Sequence, residues 1–255
     1  MHGASQFSDD HAFTKALVKF EQLVKQYYGK PFIDAPFLFR DLDHWNKVLD
    51  ADTLKPVADE VAAKADVMLI GYAGGGTRNI FANKPVRNLA EMKGLKVRVQ
   101  GAPIWSKTFA ATGMSPTVIA YNEVYNAIQN GVIAAGENEA AGVEQMKFFE
   151  VGPNLNLTQH AITIRPLAFS GKTFKKLPAD LQAAVVRAGK EAGVYGRQIE
   201  SSEDSAKLEA LEKAGKLKRI PFTDRAAMKK LVDPVMIEYA KEIGAEAILA
   251  KINSL

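Results

Sequence analysis

Cysteine is absent from the 255 residues, which removes disulfides, thiolate metal sites and a cysteine nucleophile together. Histidine is scarce. The four present (His2, His11, His44 and His160) include no pair at HExxH or HxxxH spacing, so a zinc hydrolase is not expected and no metal or organic cofactor is called for. No apolar run approaches the ~18–20 residues of a membrane helix, so the chain is not expected to span a bilayer. Neither sign of charge prevails: 33 Lys+Arg stand against 29 Asp+Glu, a net charge of +4, and the charges are interspersed. That argues against a nucleic-acid partner and permits only a mild attraction to small anions. Met1-His2-Gly3-Ala4-Ser5 leads straight into polar residues without a secretory signal. The expectation is a cytosolic protein or a trimmed exported one. A lack of cysteine fits the periplasm without demonstrating it.

The residues that are present suffice for a sizeable core. The chain is 47% hydrophobic and 24% charged, in a length that suits one large or two modest α/β domains. Phe13, Leu17, Phe20 and Val24 repeat at helical spacing, with Asp9 or Asp10 as cap and Tyr27–Pro31 as the stop. Two short helical stretches follow, over about 43–50 and 54–65, and Val67–Ile70 reads as a fully buried strand. Asn88 and Glu91 make a capping-box-like start for a short helix that Gly94 closes. Further helices are expected around 105–112, 122–131, 139–149, 179–214 and 224–242, with strands around 117–120, 133–135 and 161–165. Strands interleaved with helices give an α/β class with open sheets. The helix from about 179 is long enough to run from one lobe to another.

Two segments invite a functional reading. Gly71 to Asn79, GYAGGGTRN, is the most glycine-dense stretch. As a phosphate loop it fails, because Ala73 stands where the second glycine of GxGxxG belongs and no Gly-Lys-Ser/Thr follows. A flexible crossing between structural units is expected instead. In Leu95–Gln100 the period-two alternation sets Leu95, Val97 and Val99 on one side and Lys96, Arg98 and Gln100 on the other. Arg98 is then either a solvated surface arginine or a ligand-reading group presented by a rigid strand.

Several segments in order resemble one family. They are APFLFRD (35–41), GGTRNIFANKPV (75–86), LAEMKGLKVRV (89–99), SPTVIAYNEVYNAIQNGVIAAGEN (115–138), TQHAITIRP (158–166) and KLPADLQ (176–182). Together they resemble the extracytoplasmic solute-binding proteins of TRAP (tripartite ATP-independent periplasmic) transporters, C4-dicarboxylate type. The resemblance implies a two-lobed periplasmic binding protein-like fold, two α/β domains bridged by a long helix and closing over an organic acid. It implies a periplasmic, monomeric receptor without enzymatic activity, which hands its ligand to the TRAP membrane permease subunits. Lobe I would comprise 1–75 plus 165–203, and lobe II 76–164 plus 204–255. By the same resemblance Arg98 forms a two-pronged salt bridge with the ligand carboxylate, Arg78 and Asn138 are further contacts, and Tyr121 closes on the ligand. A planar, permanently charged guanidinium suits a carboxylate. Ligand hydroxyls need Asn, Gln or acidic acceptors, and an aromatic face covers the apolar part.

The chain departs from the family pattern in ways that bear on the ligand. Glu139 stands where proline is common. At a pocket edge it would accept from sugar hydroxyls and repel a second carboxylate, favouring a hexuronate over a C4-dicarboxylate; otherwise it is a solvated residue of a helix's first turn. Trp105 and Gln100 fall where the family varies and serve ligand choice, unless Trp105 is a core aromatic. His160 is expected in the pocket or core. The family also carries a strand, a helix and a strand where Gly29–Ala35 now makes a short connection, and an opening strand ahead of Gly3. One lobe is therefore expected to lack central strands and to leave sheet edges unpaired. A sugar-acid enzyme is the alternative class, although no Ser-His-Asp or paired-acid arrangement supports it. A ligand-binding sensor subunit would share every pocket feature.

Overall fold

A computed structural model describes residues 32–255; the expected first helix over Phe13–Val24 and its stop at Tyr27–Pro31 lie outside them. Among the described residues six strands form one sheet in the order β3-β2-β4-β1-β5-β6: β1 Val67–Ala82, β2 Lys96–Val99, β3 Ser115–Val118, β4 Ala135–Asn138, β5 Asn154–Ser170 and β6 Lys218–Ile220. Helices alternate with the strands, as the α/β pattern requires. β1 and β5 are long, 16 and 17 residues, and pair antiparallel from Val67↔Ser170 to Ala82↔Asn154. β4 joins the far end of β1 at Asn79↔Asn138, and β2 lies parallel to β4 and β3.

Period-two alternation along β1 sends adjacent residues into different cores. Ile80 enters a cluster with Trp45, Val97, Trp105, Phe109, Met228 and Tyr239. Phe81, on the opposite face, packs with Val124, Ile128, Phe148, Leu155, Leu208 and Leu211. Every one of these side chains except Leu208, Ile128 and Leu211 is at most 2% exposed. Asn88 caps its short helix as expected, accepting from the Glu91 N–H at 3.0 Å, and Gly94 takes a left-handed φ of 68°.

The glycine run is strand and not a loop: it lies inside β1 and packs against the helix Ala179–Lys213. A Cβ on Gly71 would meet the Gly189 carbonyl oxygen at 2.1 Å, and one on Gly193 the Tyr72 backbone at 2.8 Å. Gly74 and Gly75 also hold φ values of 115° and 121°, which L side chains resist. Glycine therefore serves both the register shift between Gly74 and Thr77 and the approach of helix to strand. The 35-residue helix buries Gly189, Gly193, Arg197, Asp204, Leu208 and Leu211 along one stripe.

Three local expectations need correction. Val67–Ile70 is only partly buried beyond Val67, since among the described residues this half of β1 has β5 as its sole strand neighbour. The strand expected at 133–135 is Ala135–Asn138, whose polar Glu137 and Asn138 are buried with the rest. An apolarity pattern cannot find such a strand. The helix expected over 139–149 is two, Ala140–Gln145 and Phe148–Val151, broken at Lys147 with φ 52°.

Candidate functional site

A cavity of about 370 Å³ opens where β1, β2, β4 and β5 converge, lined by Arg78, Arg98, Gln100, Trp105, Tyr121, Asn138 and Glu139, and also by Asp34, Thr163 and Arg165. Seven of the eight residues singled out in the sequence thus come together. His160 does not. It is fully buried behind the wall, bonded to Thr158 Oγ1 at 2.9 Å and Glu137 Oε2 at 3.3 Å. Burial lowers its pKa, with Glu137 opposing, which leaves it neutral at physiological pH. Beside the ionised Glu137, the proton belongs on Nε2 and Nδ1 accepts from Thr158.

Arg78 is the hub of the charged network. Its Nε donates to Glu137 Oε2 at 2.6 Å and its Nη2 to Glu137 Oε1 at 2.9 Å, a two-pronged pair. Nη1 reaches Glu139 Oε2 at 2.7 Å and Thr163 Oγ1 at 3.5 Å, and Nη2 also reaches the Glu137 carbonyl at 3.2 Å. Protein acceptors therefore engage every N–H of this guanidinium. Burial alone would raise the pKa of Glu137, but the Arg78 charge holds it down at about 2. Arg78 lines the cavity as a saturated cation.

Arg98 is arranged differently. Alternation on β2 turns it away from Val97 and Val99 as expected, yet it is 7% exposed and not a solvated surface residue. Its Nε donates to the Ile119 carbonyl at 3.0 Å and its guanidinium lies 5.5 Å from the Tyr121 ring centre. Among the described residues no acceptor hydrogen-bonds Nη1 or Nη2. Burial pulls its pKa below the usual guanidinium value, with the Glu137 charge opposing and that of Arg78 adding. Two parallel N–H donors thus remain in a cavity with no carboxylate of their own, the arrangement that accepts a carboxylate from outside.

The remaining groups frame these two arginines. Asn138 donates to the Tyr121 hydroxyl at 2.8 Å and accepts from the Glu139 N–H at 3.0 Å. Glu139 is 5% exposed and is not the solvated helix-start residue considered from sequence. Nor is it an open acceptor, because Arg78, the Thr163 hydroxyl at 3.0 Å and Arg165 Nη2 at 2.8 Å occupy it. Trp105 combines both readings: it is completely buried, lies 5.5 Å from Arg78 and still lines the cavity. Sequence reasoning missed Asp34, Glu137, Thr163 and Arg165. Glu137 stands inside the quoted GEN segment and Arg165 closes the expected strand at 161–165, so position offered a signal for both. Asp34 had none.

A separate cavity of about 330 Å³ between the helices Leu42–Asp50, Lys55–Ala65 and Ala179–Lys213 holds none of the expected residues. Its Arg197 is committed to Asn46 at 3.0 Å and Asp50 at 2.6 Å.

The family model of the bacterial extracellular solute-binding proteins, family 7 (DctP), matches residues 7–242. A solute-binding protein of Sulfitobacter sp. (strain NAS-14.1) is 46% identical over 299 aligned positions, covering 100% of this chain and 91% of the relative. That alignment is longer than the 255 residues of this chain, so the relative carries positions with no counterpart here. A crystal structure of a TRAP periplasmic solute-binding protein from Sulfitobacter sp. NAS-14.1 with bound α-D-taluronate superposes with a TM-score of 0.85. It has 47% identity, over 98% of this chain and 96% of that one. One from Bradyrhizobium sp. BTAi1 in complex with α/β-D-galacturonate has a TM-score of 0.83 at 28% identity, over 92% of this chain and 78% of that one. The family match over residues 7–242, the 46% identity and the TM-score of 0.85 agree: the chain belongs to the bacterial extracellular solute-binding proteins of family 7, the TRAP type.

Proposed function

We propose that this chain captures a hexuronate outside the cytoplasm, in the periplasm, and delivers it to a TRAP membrane permease without transforming it. The observation that carries this reading is Arg98, a buried guanidinium with both terminal amino groups facing no protein acceptor among the described residues. The ligand carboxylate sits there. Arg78 has no donor left over and holds Glu137 and Glu139 in place, while Tyr121, oriented by Asn138, covers the ligand. Relatives with bound taluronate and galacturonate support a hexuronate as the class of acid. A cavity of about 370 Å³ suits one small ligand.

A thermal-shift panel of hexuronates, succinate and malate at equal concentrations tests the reading. Stabilisation follows RT ln(1 + [L]/Kd), so a ligand at ~100 times its Kd adds about 2.7 kcal/mol. A hexuronate is expected to stabilise most; succinate ahead of every hexuronate would return the ligand to the dicarboxylates, and turnover of a uronate would make the protein an enzyme. In the same reading the lobes, 1–75 plus 165–203 and 76–164 plus 204–255, close on the ligand as a monomer. The β1–β5 crossing and the long helix provide the bending elements. X-ray scattering should then give a smaller radius of gyration with ligand, and an unchanged radius would refute closure.

A further inference from the structure

Three carboxylates belong to the cavity and its wall, Asp34 and Glu139 in the lining and Glu137 behind it on Arg78, and they are not equivalent. Glu137 is committed to Arg78 and His160, and Glu139 to Arg78, Arg165 and Thr163. Asp34 has no ion pair among the described residues. Its Oδ2 accepts from Gln100 Nε2 at 3.1 Å, whereas its Oδ1 is buried with no hydrogen-bond partner among the described residues. A buried acceptor left unmade costs the desolvation of the group. Burial raises the Asp34 pKa, with the Arg78 charge, its own backbone N–H and the Gln100 amide opposing and the Glu137 charge adding, so a further donor to this carboxylate would stabilise its ionised form.

The sequence places this acceptor beside the carboxylate-binding end. Arg98 lies in β2 and Gln100 immediately follows the strand, and both line the cavity with Asp34. Gln100 spends a donor on Asp34 and thereby orients it. A ligand anchored on Arg98 therefore presents its neighbouring substituent to a carboxylate that lacks one donor. Hydroxyl supplies that donor; a second carboxylate, which only accepts, would be repelled.

We propose that Asp34 is the specificity-determining acceptor of this site, reading a hydroxyl of the sugar acid whose carboxylate Arg98 holds. The inference rests on the hexuronate reading above, and its test separates the two. D-galacturonate, D-glucuronate and D-taluronate are titrated calorimetrically against wild type, Asp34→Ala and Asp34→Asn. Tetrahydropyran-2-carboxylate, which keeps the ring and the carboxylate but has no hydroxyl, is measured by displacement. A hydrogen bond to a charged acceptor predicts that Asp34→Ala weakens the preferred hexuronate roughly ten- to a hundredfold. Tetrahydropyran-2-carboxylate should change by less than threefold. Asp34→Asn, which retains one acceptor and the side-chain shape, should fall between, and it carries the same comparison if the alanine variant does not fold. Wild type that binds none of the three hexuronates overturns the proposed function and this inference with it. Wild type that binds one, with both variants within threefold of it, overturns the Asp34 inference alone. Equal losses for the hexuronate and the hydroxyl-free acid overturn it too, because the effect would then act through the carboxylate end.

Discussion

Replacing Arg98 by alanine tests the site most directly. In the wild type Arg98 is 7% exposed and, among the described residues, its guanidinium donates only through Nε, to the Ile119 carbonyl. The two Nη groups supply a parallel pair of charge-assisted hydrogen bonds to a bound carboxylate. With alanine at this position the carboxylate would still be desolvated on entry but would meet no counter-charge. Arg78 cannot substitute, because Glu137, Glu139 and Thr163 engage all its donors. Breaking a buried charge pair by removing one partner costs ~3–5 kcal/mol, so Arg98→Ala should weaken hexuronate binding by roughly two to four decades. Arg98→Lys should also weaken it, since an ammonium cannot reproduce the fork. Folding should survive: the substitution removes a buried cation close to Arg78, whose charge already disfavours it, in exchange for one hydrogen bond to Ile119. Isothermal calorimetry with D-galacturonate and D-taluronate, alongside thermal melts without ligand, measures both effects. Binding by Arg98→Ala within threefold of wild type would show that the carboxylate is held elsewhere and would refute the reasoning.

Gly71→Ala should destabilise the fold by ~1–3 kcal/mol or more, because its Cβ would lie 2.1 Å from the Gly189 carbonyl oxygen; a melting temperature within a degree of wild type would contradict the close strand–helix approach. Glu137→Gln should cost ~3–5 kcal/mol in urea unfolding, as it leaves the buried Arg78 without its principal counter-ion, and a loss under 1 kcal/mol would show that Glu139 suffices. Asp204 accepts from the Thr77 and Ala140 N–H groups at 3.2 and 3.1 Å, and burial, opposed by those bonds, pushes its pKa up from 3.8 to about 6. The folded state holds the extra proton between these values, so stability from this group falls as pH rises from about 4 to 6, by up to ~3 kcal/mol. Asp204→Asn should lack that slope, and parallel stability–pH curves for the two proteins would refute the assignment.

The legible parts of the molecule are those written in local pattern. Alternation at Leu95, Val97 and Val99 identified β2 and the side on which Arg98 stands, and Asn88, Glu91 and Gly94 marked both ends of one helix. Backbone preference and side-chain period act within a few residues, so they survive in the linear text. The strand Ala135–Asn138 did not, because its burial comes from partners rather than from apolarity. Glu137 is tolerable in the interior only beside Arg78, 59 positions away in the chain. The glycine run shows the same limit. Its composition announced unusual backbone, but only the packed helix reveals that Gly71 and Gly189 are small because two backbones meet there.

The sequence by itself determined the α/β class and the family, because these depend on ordered local segments. Tertiary structure alone decided which of two arginines has donors to spare. Arg78 and Arg98 are equal in charge and both belong to the expected site, and no local pattern ranks them. Cross-strand neighbours rank them: β4 and β5 bring Glu137, Glu139 and Thr163 against Arg78, while β2 sets Arg98 beside a carbonyl and an aromatic ring. Ion pairing in a low-dielectric interior is settled by distances of a few ångströms, and those distances exist only once the strands have paired.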